Sequence, residues 1–213
     1  MEYTTGVRAY RIIVALIAIF FFVEPLLTDP PNFIFRSKFL TLWGFYGSFL
    51  VALLMLARSY NLTAKRFDGF VSMVIVLNIL VVFLYWRLYF EDPALVNSNG
   101  PIVWWREYYL HLTAEILMWI DAFFFFGAWK KIKAGLAWLA GIIISYVALI
   151  ELYIKPRNTF PSGTVTEGLP YPFLNNMELS ERFVFYGTTA GTAAVMAALT
   201  IGVAFILSRL RRT

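Results

Sequence analysis

The chain has no cysteine, which excludes disulfides, thiolate nucleophiles and cysteine metal sites. It has one histidine, His111, so paired-histidine haem ligation is excluded and a transition-metal centre loses its commonest ligand. No cofactor is implied. Charge is scarce as well: 15% of the residues are Asp, Glu, Lys or Arg, against about 25% in an average soluble domain.

What the chain has instead is apolar surface, with 60% hydrophobic residues, 19% aromatics and a mean hydropathy of +0.70. That is the composition of an integral membrane protein. A spanning helix takes ~20 residues, so the 213 residues are expected to form one all-α bundle of about six transmembrane helices with short loops. The net charge of +5 does not point to nucleic acid, because the basic residues sit in short clusters between apolar runs, where topology selection places them.

Six spans can be drawn, at about residues 8–27, 39–57, 69–90, 108–129, 134–154 and 183–207. The first follows Arg8 and Arg11 like a signal peptide, but no small-residue cleavage site precedes VEPLLTDPP, so a retained helix ending at Asp29, Pro30 and Pro31 is expected. The second is entered through Arg36 and Lys38. On it Thr41, Gly44, Ser48, Ala52 and Met55 recur at helical spacing, and that face of mostly small residues is expected to look into the bundle. The third is interrupted by Asn78, and at its end Tyr85, Trp86 and Tyr89 join Trp104 and Trp105 in an interfacial aromatic belt. The longest loop, 155–181, carries FPSG and LPYPFLNN. Gly187 and Gly191 on the sixth span form a small-xxx-small pattern that favours helix packing.

Six spans put both termini on one side. That side, with the second and fourth loops, carries eleven Lys or Arg and only Glu2 and Asp68 as acids, whereas the other carries seven basic and nine acidic residues. By the positive-inside rule the termini are expected in the cytoplasm, with the basic clusters acting as topology signals.

The fourth span, YYLHLTAEILMWIDAFFFFGAW, carries His111, Glu115 and Asp121. Ionisable groups in a membrane helix are costly unless they face the bundle interior or a wet cavity, so they mark a functional site. The second and fourth spans run in the same direction, which brings Thr41 and His111 to similar depth near the outer surface. Glu115 lies one turn below His111 on nearly the same face, and Asp121 about 15 Å deeper. A histidine beside a hydroxyl can serve as general base to a nucleophile, and the unpaired N–H groups that open the second helix could receive an oxyanion. Plainer readings stand beside this one. A lone intramembrane histidine can be a structural hydrogen-bonding group, and a threonine in an apolar helix commonly returns its hydroxyl to the carbonyl of the preceding turn. His111, Glu115 and Asp121 could also form the relay of a small transporter or proton-coupled carrier.

Several short motifs occur together: Lys38-Phe39-Leu40-Thr41 at the head of the second helix, Trp105 followed by His111, Tyr171-Pro172-Phe173-Leu174 in the last outer loop, and Phe185-Tyr186-Gly187-Thr188-Thr189 opening the sixth helix. In order and spacing, from about residue 36 to 200, they resemble the androgen-induced-gene family. That family includes the androgen-dependent TFPI-regulating protein and is known for multi-pass threonine hydrolases that cleave fatty acid esters of hydroxy fatty acids. The resemblance implies a nucleophilic Thr41, a base at His111, a family-like acid at Asp121 and a lipid ester entering from the bilayer. Lys38, Gly44, Ser48, Glu115, Asp121 and Tyr171 are the candidates for substrate binding or tuning. Glu115 departs from the apolar residue or proline of the family pattern, and residues 156–167 make a longer loop than in animal members. The compact chain with basic ends resembles a bacterial relative, which would sit in the inner membrane.

Overall fold

The computed structural model describes residues 3–28, 37–96, 102–158 and 168–211. Six long helices account for most of them: α1 Thr5–Thr28, α2 Leu40–Ser59, α3 Asp68–Glu91, α4 Trp104–Phe126, α5 Ile132–Arg157 and α6 Leu179–Leu210. Each is long and apolar enough to cross a bilayer, and no strand occurs among the described residues. The chain is an all-helical, multi-pass membrane protein. Asp29, Pro30, Pro31 and Arg36, the stretch 97–101 and the FPSG motif lie outside the described residues.

The bundle is organised on α3. It is apolar on all sides, and a helix of that kind belongs inside. Val71, Val74, Ile75 and Val76 have no solvent contact. Helices α2, α4, α5 and α6 pack around it, and α1 lies against α2. The α3–α5 approach is close because glycine permits it: a Cβ on Gly69 would lie 2.9 Å from the Ala134 backbone, and one on Gly135 would lie 3.1 Å from Ser72 Cβ. On α2 the expected inward face is formed, with Gly44, Ser48, Ala52 and Met55 buried. Its polar member is satisfied from α3, where Asn78 Nδ2 donates to Ser48 Oγ at 2.6 Å.

The α4–α5 turn is locked to the start of α3. Lys131 N donates to Asp68 Oδ2 at 2.7 Å, and Trp129 N to Ser72 Oγ at 3.0 Å. Arg66 Nη2 caps the end of α4 on the carbonyls of Phe126 and Gly127, at 3.0 and 2.9 Å. Gly127 itself turns the chain with φ of 68°, the left-handed conformation that glycine adopts without steric cost.

Two expectations change. α4 begins at Trp104 rather than near residue 108, since WWREYY contains no helix breaker and the N–H groups of Arg106 and Glu107 both return to Val103 O. Gly187 and Gly191 permit no close helix approach among the described residues, where nothing lies within 4 Å of a Cβ built on either. α6 packs instead through Ala193, Met196, Ala197 and Thr200, which form its buried stripe.

Arg11 is a third correction, because it is a buried ion-pair partner and not a topology signal alone. Its Nε and Nη2 meet the two Asp121 carboxylate oxygens at 2.6 and 2.7 Å, and Nη1 reaches Met55 O at 3.1 Å and Ser59 Oγ at 3.0 Å. The pair ties α1 to α4 at the end of the bundle away from Thr41, with planar bidentate geometry that lysine could not reproduce. Arg11→Met strands the Asp121 carboxylate and is expected to cost about 3–5 kcal/mol, read by thermal unfolding in detergent. Adding Asp121→Leu should return most of that loss, and a single variant as stable as the parent would contradict a buried pair.

Candidate active site

Thr41 is the second residue of α2, and its Oγ1 lies 3.2 Å from His111 Nε2 on α4. A threonine here would ordinarily turn its hydroxyl to a main-chain oxygen three or four residues back. Both of those oxygens already receive a donor: Lys38 O accepts the Tyr146 hydroxyl at 2.7 Å, and Ser37 O accepts Trp43 Nε1 at 2.7 Å. The Thr41 hydroxyl is thereby directed to the imidazole.

His111 lies in a π-turn, Tyr109–Thr113, a local widening of α4 of the kind that recurs at functional sites. Its main-chain oxygen accepts Trp86 Nε1 at 2.9 Å. Its ring is buried and stacks on Tyr85, with centroids 3.5 Å apart and planes 10° from parallel. On the far side of the ring from Thr41, Nδ1 lies 3.1 Å from Glu107 Oε2 and 3.1 Å from the Glu107 main-chain oxygen. The same Oε2 accepts the Tyr85 hydroxyl at 2.8 Å. With two oxygens facing Nδ1, the ring proton belongs there, which leaves Nε2 to accept from Thr41. The neighbouring Arg106 is tied to α1 by an ion pair with Glu24 at 2.5 Å.

A cavity of about 430 Å³ opens on this array, lined by Thr41, His111, Glu107, Arg106, Tyr85 and Tyr171 together with apolar side chains. Leu40, Leu84 and Tyr171 also border a second cavity, which is narrow (about 40 Å³) and almost wholly apolar. It descends between α3, α5 and α6 to Leu77 and Leu139. From Leu84 to Leu77 that is ~10 Å along the bundle.

The other candidates have distinct places. Tyr171 stands at the junction of the two cavities, and burial pushes its phenol up to about 12, so it remains an O–H donor at ordinary pH. Lys38 is buried outside the cavity wall, and its Nζ donates to Gly168 O at 2.7 Å, which holds the segment before α6 against the head of α2. Gly44 and Ser48 face Asn78 below the site. Glu115 is buried but does not line the Thr41–His111 cavity, and its Oε2 has no hydrogen-bond partner among the described residues. Asp121 belongs to the Arg11 pair. The carboxylate that meets His111 is Glu107, one turn above it, and not Glu115 below. The signal was the i, i+4 spacing of Glu107 and His111, hidden when the fourth helix is started at Tyr108.

A profile described as FAR-17a/AIG1-like protein matches residues 9–206, nearly the whole chain. The chain belongs to the FAR-17a/AIG1-like family. Comparison with curated proteins and with solved structures returned no match. In this FAR-17a/AIG1-like protein the Lys38 to Thr41 motif builds the head of α2, and the Tyr171 segment roofs the junction of the cavities.

The Trp86 contact can be tested on its own. Trp86→Phe keeps the belt aromatic but leaves the His111 carbonyl without its indole donor, so stability should fall by about 1–3 kcal/mol in denaturant or thermal unfolding. An unchanged midpoint would mean that another donor replaces it.

Proposed function

We infer that this protein is an intramembrane hydrolase of lipid esters in which Thr41 is the nucleophile and His111 the general base. The observation that carries the reading is the 3.2 Å approach of Thr41 Oγ1 to His111 Nε2, with the threonine's usual main-chain acceptors both occupied. As Oγ attacks the ester carbonyl, its proton passes to Nε2 and a tetrahedral oxyanion forms. The C–O bond to the alcohol then breaks, and the leaving oxygen takes the proton from Nε2. Water repeats the sequence on the acyl-threonine, releasing the acid and restoring the hydroxyl. Phe39 provides no side-chain cap, so the N–H groups of Leu40 and Thr41 are candidate donors for the oxyanion, whereas that of Leu42 donates to Phe39 O.

Family membership supports a lipid ester substrate, with fatty acid esters of hydroxy fatty acids as the type. The apolar cavity beside Thr41 suits an acyl chain drawn from the bilayer. Loop charge supports an outward-facing site with the termini in the cytoplasm, and the compact chain with basic ends supports a bacterial inner membrane as the setting. The carrier reading is weaker, because it needs Asp121 as an exchanging group, whereas Asp121 is held bidentate by Arg11.

A fluorophosphonate probe should label the purified protein at Thr41, and Thr41→Ala and His111→Ala should each lower ester turnover by ~10²-fold or more. Because the two act as one unit, the double variant should be little worse than the worse single one. Thr41→Ser keeps the oxygen and should retain part of the activity. Full turnover in a folded Thr41→Ala protein would end the reading. Lost substrate-driven proton flux in Asp121→Asn, with ester turnover absent from the parent, would favour the carrier.

The occupied carbonyls make a further prediction. In Trp43→Phe combined with Tyr146→Phe, Ser37 O and Lys38 O lose their donors and compete for the Thr41 hydroxyl. Turnover should fall several-fold, roughly the effect of ~1 kcal/mol of lost hydrogen-bond preference. Turnover equal to the parent would show that the hydroxyl needs no such direction.

A further inference from the structure

We propose that Glu107 is a positioning residue that completes a Thr41–His111–Glu107 triad and is itself held by Tyr85. The inference rests on the hydrolase reading and extends it to the far side of the imidazole. When Nε2 takes the threonine proton, a cation forms on a ring buried between helices, where an unpaired charge is expensive. Glu107 Oε2 stands 3.1 Å from Nδ1, where an anion offsets that charge most directly.

Two contacts from α3 make the arrangement rigid. The Tyr85 hydroxyl donates to Oε2 at 2.8 Å, which fixes the carboxylate, and the Tyr85 ring lies flat on the imidazole at 3.5 Å, which fixes the plane of the base. One side chain thus orients both members. The groups that face the pair are Thr41 from α2, Tyr85 from α3, Arg106 on α4 with its Glu24 partner from α1, and Tyr171 from the last outer loop. Of these contacts, Glu107 is the one that sets a negative charge against Nδ1. The Glu107 main-chain oxygen also lies 3.1 Å from Nδ1, so the tautomer has a second acceptor. The carboxylate's separate contribution is therefore charge.

Glu107→Gln separates these roles, since the amide keeps an oxygen at nearly the same position and removes the charge. With the full-length protein in detergent or liposomes and a fatty acid ester of a hydroxy fatty acid, kcat should fall by roughly 10²-fold with KM little changed. Glu107→Asp should recover part of kcat. Tyr85→Phe, which keeps the stack and loses the hydroxyl, should give a smaller loss of kcat. Wild-type kcat in Glu107→Gln overturns the proposal.

The single histidine supplies a readout that does not depend on turnover. In ¹⁵N-histidine-labelled protein the one Nδ1 resonance should shift on Glu107→Gln, and an unmoved resonance overturns the contact itself. Thr41→Ala in the same ester assay reports on the hydrolase reading. If it turns over like the parent, that reading fails while the resonance still decides whether Glu107 holds His111.

Discussion

A polar group buried among membrane helices needs its partner inside the protein, because lipid offers none. In this bundle α3 supplies the partners. Although apolar all round, it carries a polar residue or an aromatic N–H or O–H at intervals along its length, and each engages another helix or its turn. Asp68 and Ser72 hold the α4–α5 turn, Asn78 reaches Ser48 on α2, Tyr85 holds Glu107 on α4, and Trp86 caps the His111 carbonyl. The candidate catalytic array is therefore the outermost part of a ladder of contacts on which the packing of the bundle also depends. A change at Tyr85 acts on the stack and on the Glu107 carboxylate at once, which is why Phe is the informative substitution there and Ala is not.

Two charged contacts lie toward opposite ends of the bundle. At one end Arg11 and Asp121 are locked with short bidentate bonds and further acceptors from α2. At the other, Glu107 borders a cavity, and its partners are a neutral hydroxyl and an imidazole. A fully saturated pair is a fixed strut, whereas a carboxylate bonded to a histidine can take part in moving protons. The contrast assigns holding to the Arg11 end, and under the hydrolase reading it leaves chemistry to the other. It also explains why a carboxylate ten residues after the histidine is structural in this chain despite its place in the span.

The six spans were legible because a twenty-residue apolar run has few alternatives, and the nearness of Thr41 and His111 followed from two helices running in the same direction. The acid beside His111 was not legible from hydropathy. Trp104 and Trp105 read as interfacial belt and the span as opening at Tyr108, so Glu107 fell in a loop, but an aromatic belt can be the first turns of the helix itself. Arg11 was obscured in a similar way, since a basic residue before the first apolar run satisfies the topology rule wherever its guanidinium points. Gly187 and Gly191 mislead for a third reason: a small-residue stripe specifies a surface that permits close approach, and the buried stripe of α6 lies elsewhere. Each miss concerns where a side chain points, a property of three-dimensional packing that linear spacing constrains only to within a turn.

Under the hydrolase reading, the walls of the site also set the direction in which an ester lies. The last outer loop is anchored by Lys38 Nζ on Gly168 O, and by Asn175 Oδ1, which accepts from Leu169 N at 3.0 Å and Asn158 Nδ2 at 2.8 Å. Tyr171 is therefore a fixed roof over the junction of the cavities. Below it the narrow cavity is lined mainly by leucine, isoleucine and aromatic side chains and holds no charged group, and the Tyr146 and Tyr186 hydroxyls on its wall already donate to Lys38 O and Glu151 Oε1. The wider cavity carries Arg106 and Glu107 beside the reacting groups. An acyl chain from the bilayer loses little by parting the apolar seam, which exchanges lipid tails for side chains of the same polarity, whereas a polar leaving alcohol finds hydrogen-bonding groups on the wider side. The carbonyl carbon then sits between them, beside Thr41, with the departing oxygen on the side where His111 can return its proton. The two cavities, which meet at Leu40, Leu84 and Tyr171, thus favour one orientation of the ester, and that orientation is the one the acid–base cycle of a single histidine requires.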